Sequence, residues 1–263
     1  MAFKMIKRLT TNLRQNSFLF GQLVNRDFQQ RYKRTALGMA WSVLSPLMHL
    51  AVMMLVFSRL FGRNVNHYVI YLFSGNIIMS YFRESTKNGM TSLMSNSGVI
   101  SKINVPKYLF LLSQNVSALI NFGLTILIYF FFCLVDKIEF TPAMFMLWYP
   151  IVWFVVMNIG IGMVLSALYV FFRDIQYLYD IFLQLLTYLS AIFYTIDRFP
   201  AEMQRLFLLN PVYVNIRYWR LVVIDGIVPS LPYHLLLAGY ALLFLGLGAF
   251  FYKKYNHRFV YYF

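Results

Sequence analysis

The chain alternates long apolar runs with short gaps that hold its charges. Six stretches lack Asp, Glu, Lys and Arg, or nearly so: 36–58, 64–82, 108–135, 140–172, 175–196 and 233–252. A helix needs about 20 mostly apolar residues to cross the hydrocarbon core of a bilayer, so each stretch predicts a spanning helix. The second continues past Arg83 toward Gly89, which gives an expected span of 64–88. The fourth opens at Thr141-Pro142, a favourable helix start, and is placed at 141–172. The fifth, 175–196, keeps Asp180 near one end. The pattern predicts an all-α integral membrane protein, a single domain over residues 1–263 without internal repeat or low-complexity linker.

Three segments do not fit simple spans. In 18–34, Phe20, Leu23, Val24, Phe28 and Tyr32 share one helical face, and Gln22, Asn25, Arg26, Gln29, Gln30 and Lys33 share the other. A segment this short and charged suits a helix lying in the interface. Residues 83–107 read as a polar loop, with Val99, Ile100, Ile103 and Val105 forming a short amphipathic helix that ends near Pro106. Residues 197–232 contain Pro200, Asn210-Pro211, Pro229 and Pro232, with apolar stretches between them too short to cross. They predict two short re-entrant helices within 199–228, turning at Asn210-Pro211 before the last span.

Composition agrees. Sixty per cent of the 263 residues are hydrophobic, 19% are aromatic and 12% are charged. A soluble domain carries about 25% charged residues, and half of that leaves too little polar surface for a water-exposed fold. The net charge of +14 raises the possibility of nucleic acid. The basic residues, however, sit in gaps between apolar runs rather than on a folded soluble surface, so no nucleic-acid partner is expected. Divided between alternate sides of six spans, the charge becomes +12 on the side holding both termini and +2 on the other. Positive charge marks the cytoplasmic side, so both termini are expected there. The first 34 residues hold eight Lys and Arg and no long apolar core, unlike a signal peptide. Cys133 stands alone inside an apolar run and reads as a small buried hydrophobe.

Absent motifs narrow the function. No Gly precedes a Lys, so there is no phosphate-binding P-loop; no two acids stand two apart; and the four His lack metal-ligand spacing. The chain itself is expected to hold no cofactor, metal or catalytic residue and not to be an enzyme. His49, near the middle of a span, reads as a packing residue before a proton relay.

The run R-D-F-Q-Q-R-Y-K-R-T-A-L-G-M-A-W-S-V-L-S-P-L (Arg26 to Leu47) resembles the start of the first span in type-2 ABC exporter permeases, in the branch that moves O-antigens, capsules and teichoic acids. The resemblance continues through V-I-S-K-I-N-V-P-K-Y-L-F-L-L-S-Q (Val99 to Gln114), F-F-R-D-I (Phe171 to Ile175), L-L-N-P-V-Y (Leu208 to Tyr213) and Tyr218 to Arg220, in the family's order. It implies a six-span half-transporter that forms a homodimer and carries two ATP-binding cassette subunits, with ATP and Mg held on those partners. It implies an interface helix at 18–34, outer gate helices at 199–228, and an ATPase-coupling helix at 96–106 with Asn96, Val99, Ile100, Lys102, Ile103 and Pro106.

A polymer of sugars has C–H faces that stack on aromatic rings. The family places spans one and five around the pore, which makes Trp41, Phe57, Tyr177, Phe182, Tyr188, Phe193 and Tyr194 the channel-lining candidates, against the alternatives of lipid contact and packing. Arg26, Arg31, Lys33 and Arg34 suit the diphosphate of a polyprenyl carrier lipid. Topology and anionic-lipid contact explain them equally, and Asp27 is an alternative partner. Asn210, Pro211, Arg217 and Arg220 belong to the outer gate, at headgroup level or against the glycan. Arg173-Asp174 caps a turn or touches the ATPase. The expected function is ATP-driven export of a polyprenyl-diphosphate-linked polysaccharide across the cytoplasmic membrane of a bacterium. The alternatives are a permease for a small hydrophobic drug or lipid, and a membrane enzyme acting on polyprenyl-linked sugars.

Overall fold

The computed structural model describes residues 16–33, 35–61, 66–102, 105–197 and 199–262, apart from the side chains of 31, 32, 58–61 and 260. Arg34, Ile103 and the side chain of Arg31, together with the start of the 64–88 span, lie outside the described residues. Every regular element among the described residues is helical: α1 (Ser17–Tyr32), α2 (Trp41–Phe61), α3 (Tyr68–Ser95), α4 (Ser97–Ile100), α5 (Tyr108–Val135), α6 (Trp148–Phe171), α7 (Ile175–Leu189), α8 (Ala201–Phe207), α9 (Pro211–Val223) and α10 (Leu231–Tyr255), with short 3-10 turns between and after them.

Among the described residues four helical stretches are long and apolar enough to cross a membrane: Gly38–Phe57, Tyr108–Val135, Pro142–Phe171 and Leu231–Tyr255. The other two expected spans differ in instructive ways. Residues 83–88, expected at the end of the second span, are helical, and 89–95, expected in the polar loop, continue the helix and complete the 28-residue α3. Asn76, Ser80, Arg83, Glu84 and Lys87 form a polar stripe at helical spacing on α3, and a stripe of polar groups does not interrupt a helix whose remaining faces are packed. The fifth run stops being helical at Leu189, short of 196. Ser190 bonds back to the Leu186 carbonyl at 2.7 Å, and Ala191 takes a left-handed φ of 48°, which turns the chain out of the helix.

The core forms around α3, where Ile70, Leu72, Phe73, Ile78 and Met90 are essentially inaccessible. Aromatic packing joins it to its neighbours: Tyr81 stacks on Phe122 of α5 at 4.4 Å, and Phe73 meets Tyr129 edge-on at 5.6 Å. Helices α6 and α10 approach until backbone touches backbone. A Cβ added to Gly160 would lie 2.4 Å from the Phe244 carbonyl carbon, and one on Gly248 would lie 2.6 Å from the Gly160 oxygen. Small residues allow this closeness, which membrane helices use in place of a hydrophobic driving force. Cys133 is fully buried.

The start of α9 follows from its cap. The Asn210 Oδ1 accepts from the Val212 and Tyr213 amides at 3.0 and 3.2 Å, and Pro211 occupies the first turn of α9. This is the arrangement that starts a helix without orphaned donors. The Asn210 side-chain amide also donates to the Leu189 carbonyl at 3.2 Å and to Ser190 Oγ at 3.0 Å, fixing the start of α9 against the end of α7.

Candidate functional site

Three groups of polar residues interrupt this apolar bundle. The first ties α1 to the α3–α4 junction. Arg26 Nη2 donates to Asp27 Oδ1 and to Asn96 Oδ1, both at 2.7 Å, and Ser113 Oγ donates to Asp27 Oδ2 at 2.7 Å. The Asp27 carboxylate is almost wholly buried, while the Arg26 side chain keeps one third of its surface. Of the cationic cluster read from sequence, Arg26 is therefore engaged internally with the partner that the sequence offered as its alternative. Lys33 is exposed just past the end of α1. Replacing Arg26 with Ala should destabilise the protein by about 3 kcal/mol, because a buried carboxylate then lacks its cation. Adding Asp27→Asn to that variant should restore more than half of the loss. Thermal unfolding of the two variants checks this, and equal destabilisation in both would refute it.

The expected coupling segment starts at the same network. Asn96 is buried and donates to the Ser92 carbonyl at 2.8 Å. Helix α4 that follows is a single turn, with Val99 exposed, Ile100 packed inward, Lys102 exposed and Pro106 half-buried. Among the described residues of this segment after Asn96, those exposed are Gly98, Val99, Ser101 and Lys102.

The second group lines a cavity of about 650 Å³ between α2, α3 and α5 that reaches the end of α7. Helix α2 contributes Trp41, Ser45 and His49 to its wall, α3 contributes Ser80, Arg83 and Glu84, α5 contributes Asn121 and Thr125, and α7 contributes Thr187. Arg83 Nη2 donates to Thr187 Oγ1 at 3.1 Å, and Asn121 Nδ2 donates to Glu84 Oε2 at 3.0 Å. Beside the cavity Lys87 pairs with Asp180 at 2.7 Å, and the Tyr179 hydroxyl donates to Thr86 at 2.6 Å. Sequence reasoning carried the second span past these charges to 88 but missed the wall, because no neighbour was in view to set them against. The signal was present in the stripe Asn76, Ser80, Arg83, Lys87.

The seven candidate channel aromatics do not form one group. Trp41 borders the cavity. Tyr177, Phe182 and Tyr188 stand on the exposed side of α7. Phe57 stacks on the buried Phe193 at 4.5 Å. Tyr194 is half-buried, its carbonyl accepting from Tyr71 at 2.7 Å and its hydroxyl donating to the Tyr188 carbonyl at 2.9 Å.

The third group lies on and beside α9. Arg220 is 3% exposed. It donates to the carbonyls of Ala191 at 2.9 Å and of Tyr71 and Ile192 at 3.1 Å, and to Ser74 Oγ at 3.3 Å, with its guanidinium carbon 3.4 Å over the Tyr71 ring. It is a clasp between α9, α3 and the turn after α7, and no surface for glycan or headgroup. Arg217 instead faces a separate cavity of about 250 Å³ with Asp197, Arg205, Tyr213 and Tyr233. Burial alone would lower the Arg217 guanidinium, but Tyr213, Asp197, Tyr233 and Asp225 outweigh it and hold it above its ordinary value. Burial raises the Asp225 carboxyl, with Arg217 opposing. Arg173 and Asp174 are exposed in the turn between α6 and α7.

Comparison with known proteins bears directly on this arrangement. Residues 19–222 match the family model described as ABC-2 type transporter. The chain is similar to an O-antigen export system permease protein RfbA of Klebsiella pneumoniae, 28% identical over 252 residues that cover 92% of this chain and 95% of that protein. It is also similar to the RfbA permease of Myxococcus xanthus, 25% identical over 78% of this chain and 80% of that protein. A further relative is the capsule polysaccharide export inner-membrane protein CtrC of Neisseria meningitidis, 20% identical over 88% of this chain and 89% of that protein. The chain belongs to the ABC-2 type transporter family, as a multi-pass permease of the cytoplasmic membrane rather than an enzyme.

Proposed function

We propose that this permease is the transmembrane subunit of an ATP-driven exporter for a polyprenyl-diphosphate-linked polysaccharide of the O-antigen, capsule or teichoic-acid type. The observation that carries the reading is the extent of its likeness to permeases named for O-antigen export, which covers 92% of the chain. Two copies, each contributing six spans (α2, α3, α5, α6, α7 and α10), surround the path, and two ATP-binding cassette subunits hold ATP and Mg on the cytoplasmic side. Helix α4 and its neighbours up to Pro106 receive the stroke of the ATPase. Arg26 passes it to α1 through Asn96, because one guanidinium holds both. Lys33, Arg31 and Arg34 attract the diphosphate, and α8 and α9 form the outer gate. Exposed Tyr177, Phe182 and Tyr188 offer the growing polymer weak apolar contacts that permit sliding.

The reading is tested in the intact complex. Purified with its lipid, the chain should bring down an ATP-binding cassette protein, and cells lacking the chain should hold lipid-linked glycan inside. Val99→Asp should abolish stimulation of ATP hydrolysis by substrate, since it places a carboxylate on the exposed side of α4. Export of a hydrophobic drug, with surface glycan unchanged in the deletion, would favour the small-cargo permease.

A further inference from the structure

We propose that the cavity between α2, α3 and α5 is a binding site for a hydroxyl-rich segment of the glycan, and that Arg83 and Glu84 decide which sugars it accepts. The proposal rests on the polysaccharide reading above. It begins from a physical oddity. Ionisable groups amid membrane helices are costly and mark pathways or sites. Here an arginine and a glutamate are adjacent on α3 and border one cavity. Its volume of about 650 Å³ lies within the ordinary range for ligand sites. From Trp41 to Met53, both in its wall, α2 rises about 18 Å at the usual helical pitch, so the cavity is long enough to follow a chain of rings.

The wall chemistry selects the ligand. Arg83 offers only donors and Glu84 only acceptors, whereas Ser45, Ser80 and Thr125 do both. Sugar hydroxyls also both donate and accept, so a polyol satisfies such a wall at many positions. A phosphate does not, because the Glu84 carboxylate beside Arg83 repels an anion and offsets the guanidinium. Trp41, 39% exposed at one end, presents a ring to the C–H face of a sugar. The contacts Arg83–Thr187 and Glu84–Asn121 join the cavity to α7 and α5, so a ligand exchanging with them senses the spacing of those helices.

The experiment uses the full permease with its ATP-binding subunit in cells from which the native copy is deleted. Ser45→Trp and Ser80→Trp fill the cavity from two helices. Each should lower surface glycan at least about tenfold, as expected when a clash closes a site. Recovery of the ATP-binding subunit with each variant separates a filled cavity from a failure to assemble. Where a tryptophan variant fails to assemble, Ser80→Cys labelled after assembly with a bulky polar maleimide gives the same test, since Cys133 is buried. Arg83→Gln and Glu84→Gln should each reduce export and alter which of two glycans of different sugar composition is preferred. Full export from both filled variants overturns the proposal. Loss of export with Arg83→Gln but a gain with Glu84→Gln overturns it in favour of an anionic headgroup. Unchanged surface glycan in the deletion strain itself would instead refute the polysaccharide reading, so the two failures are distinguishable.

Discussion

Replacing Arg220 with methionine should remove most of the folded protein. The side chain is 3% exposed and supplies hydrogen bonds to three backbone carbonyls and one hydroxyl from two other parts of the chain. Methionine approximates its length and donates nothing. A buried acceptor stripped of its partner costs about 1–3 kcal/mol, and several together approach the 5–15 kcal/mol that holds a typical domain folded. Among the described residues no carboxylate pairs with Arg220. Its charge is instead met by carbonyls just past the end of α7, where a helix carries its partial negative charge, and by the face of Tyr71 at 3.4 Å. Lysine keeps the charge but not the planar fork, so Arg220→Lys should fall between the two. Yield of monodisperse protein in detergent and its melting temperature measure the effect. A methionine variant that melts with the native protein would mean that the clasp is dispensable.

Gly160→Val should be as damaging by another route. The positions a side chain would need are occupied by the Phe244 carbonyl carbon and the Leu245 nitrogen, each 2.4 Å from the Cβ site. Backbone cannot rotate aside as a side chain can. Helices α6 and α10 would have to part along their shared face, losing the close packing that supplies much of the association of membrane helices. Overpacking ordinarily costs about 1–3 kcal/mol where side chains can adjust; here no such adjustment exists, and the expected result is loss of the folded form. Gly123→Val on α5, where an added Cβ meets nothing within 4 Å, is the control and should melt close to the native protein. Proteolysis in native membranes separates the two outcomes.

Much of this fold was legible in the run lengths. The stretches around 108–135, 141–172 and 233–252 correspond closely to α5, α6 and α10 because an unbroken apolar run has one cheap state in lipid. The start of α9 was legible for a different reason: Asn210-Pro211 satisfies the first turn locally. What was not legible depends on neighbours. Arg83, Glu84 and Lys87 look like the end of a span when counted as charges, and settle within α3 only when partners on α5 and α7 receive them. Arg220 looks like a surface cation, and no local pattern announces that Tyr71, Ala191 and Ile192 converge on it. The division of the aromatics between cavity, exposed face and core is equally a property of packing, since Tyr188 and Phe193 touch where α7 ends, ring centroids 6.1 Å apart, yet Phe193 alone of the two is buried. Arg26 was half legible, because an acid stood beside it.

The turn after α7 has a mechanical meaning. From Ile175 to Leu189 that helix buries only Tyr179, Leu183 and Leu186 and is tied to α3 through Thr86, Lys87 and Arg83, while the turn at its far end is held by Asn210 and Arg220. A rod gripped at one end and tied along its length chiefly to one neighbour, α3, turns as a lever about the grip when those ties yield. Rotation of a few degrees about Ser190 displaces Tyr177 far more than Tyr188, so a small push near Asp174 sweeps the ring closest to it through the widest arc and leaves the turn itself nearly still.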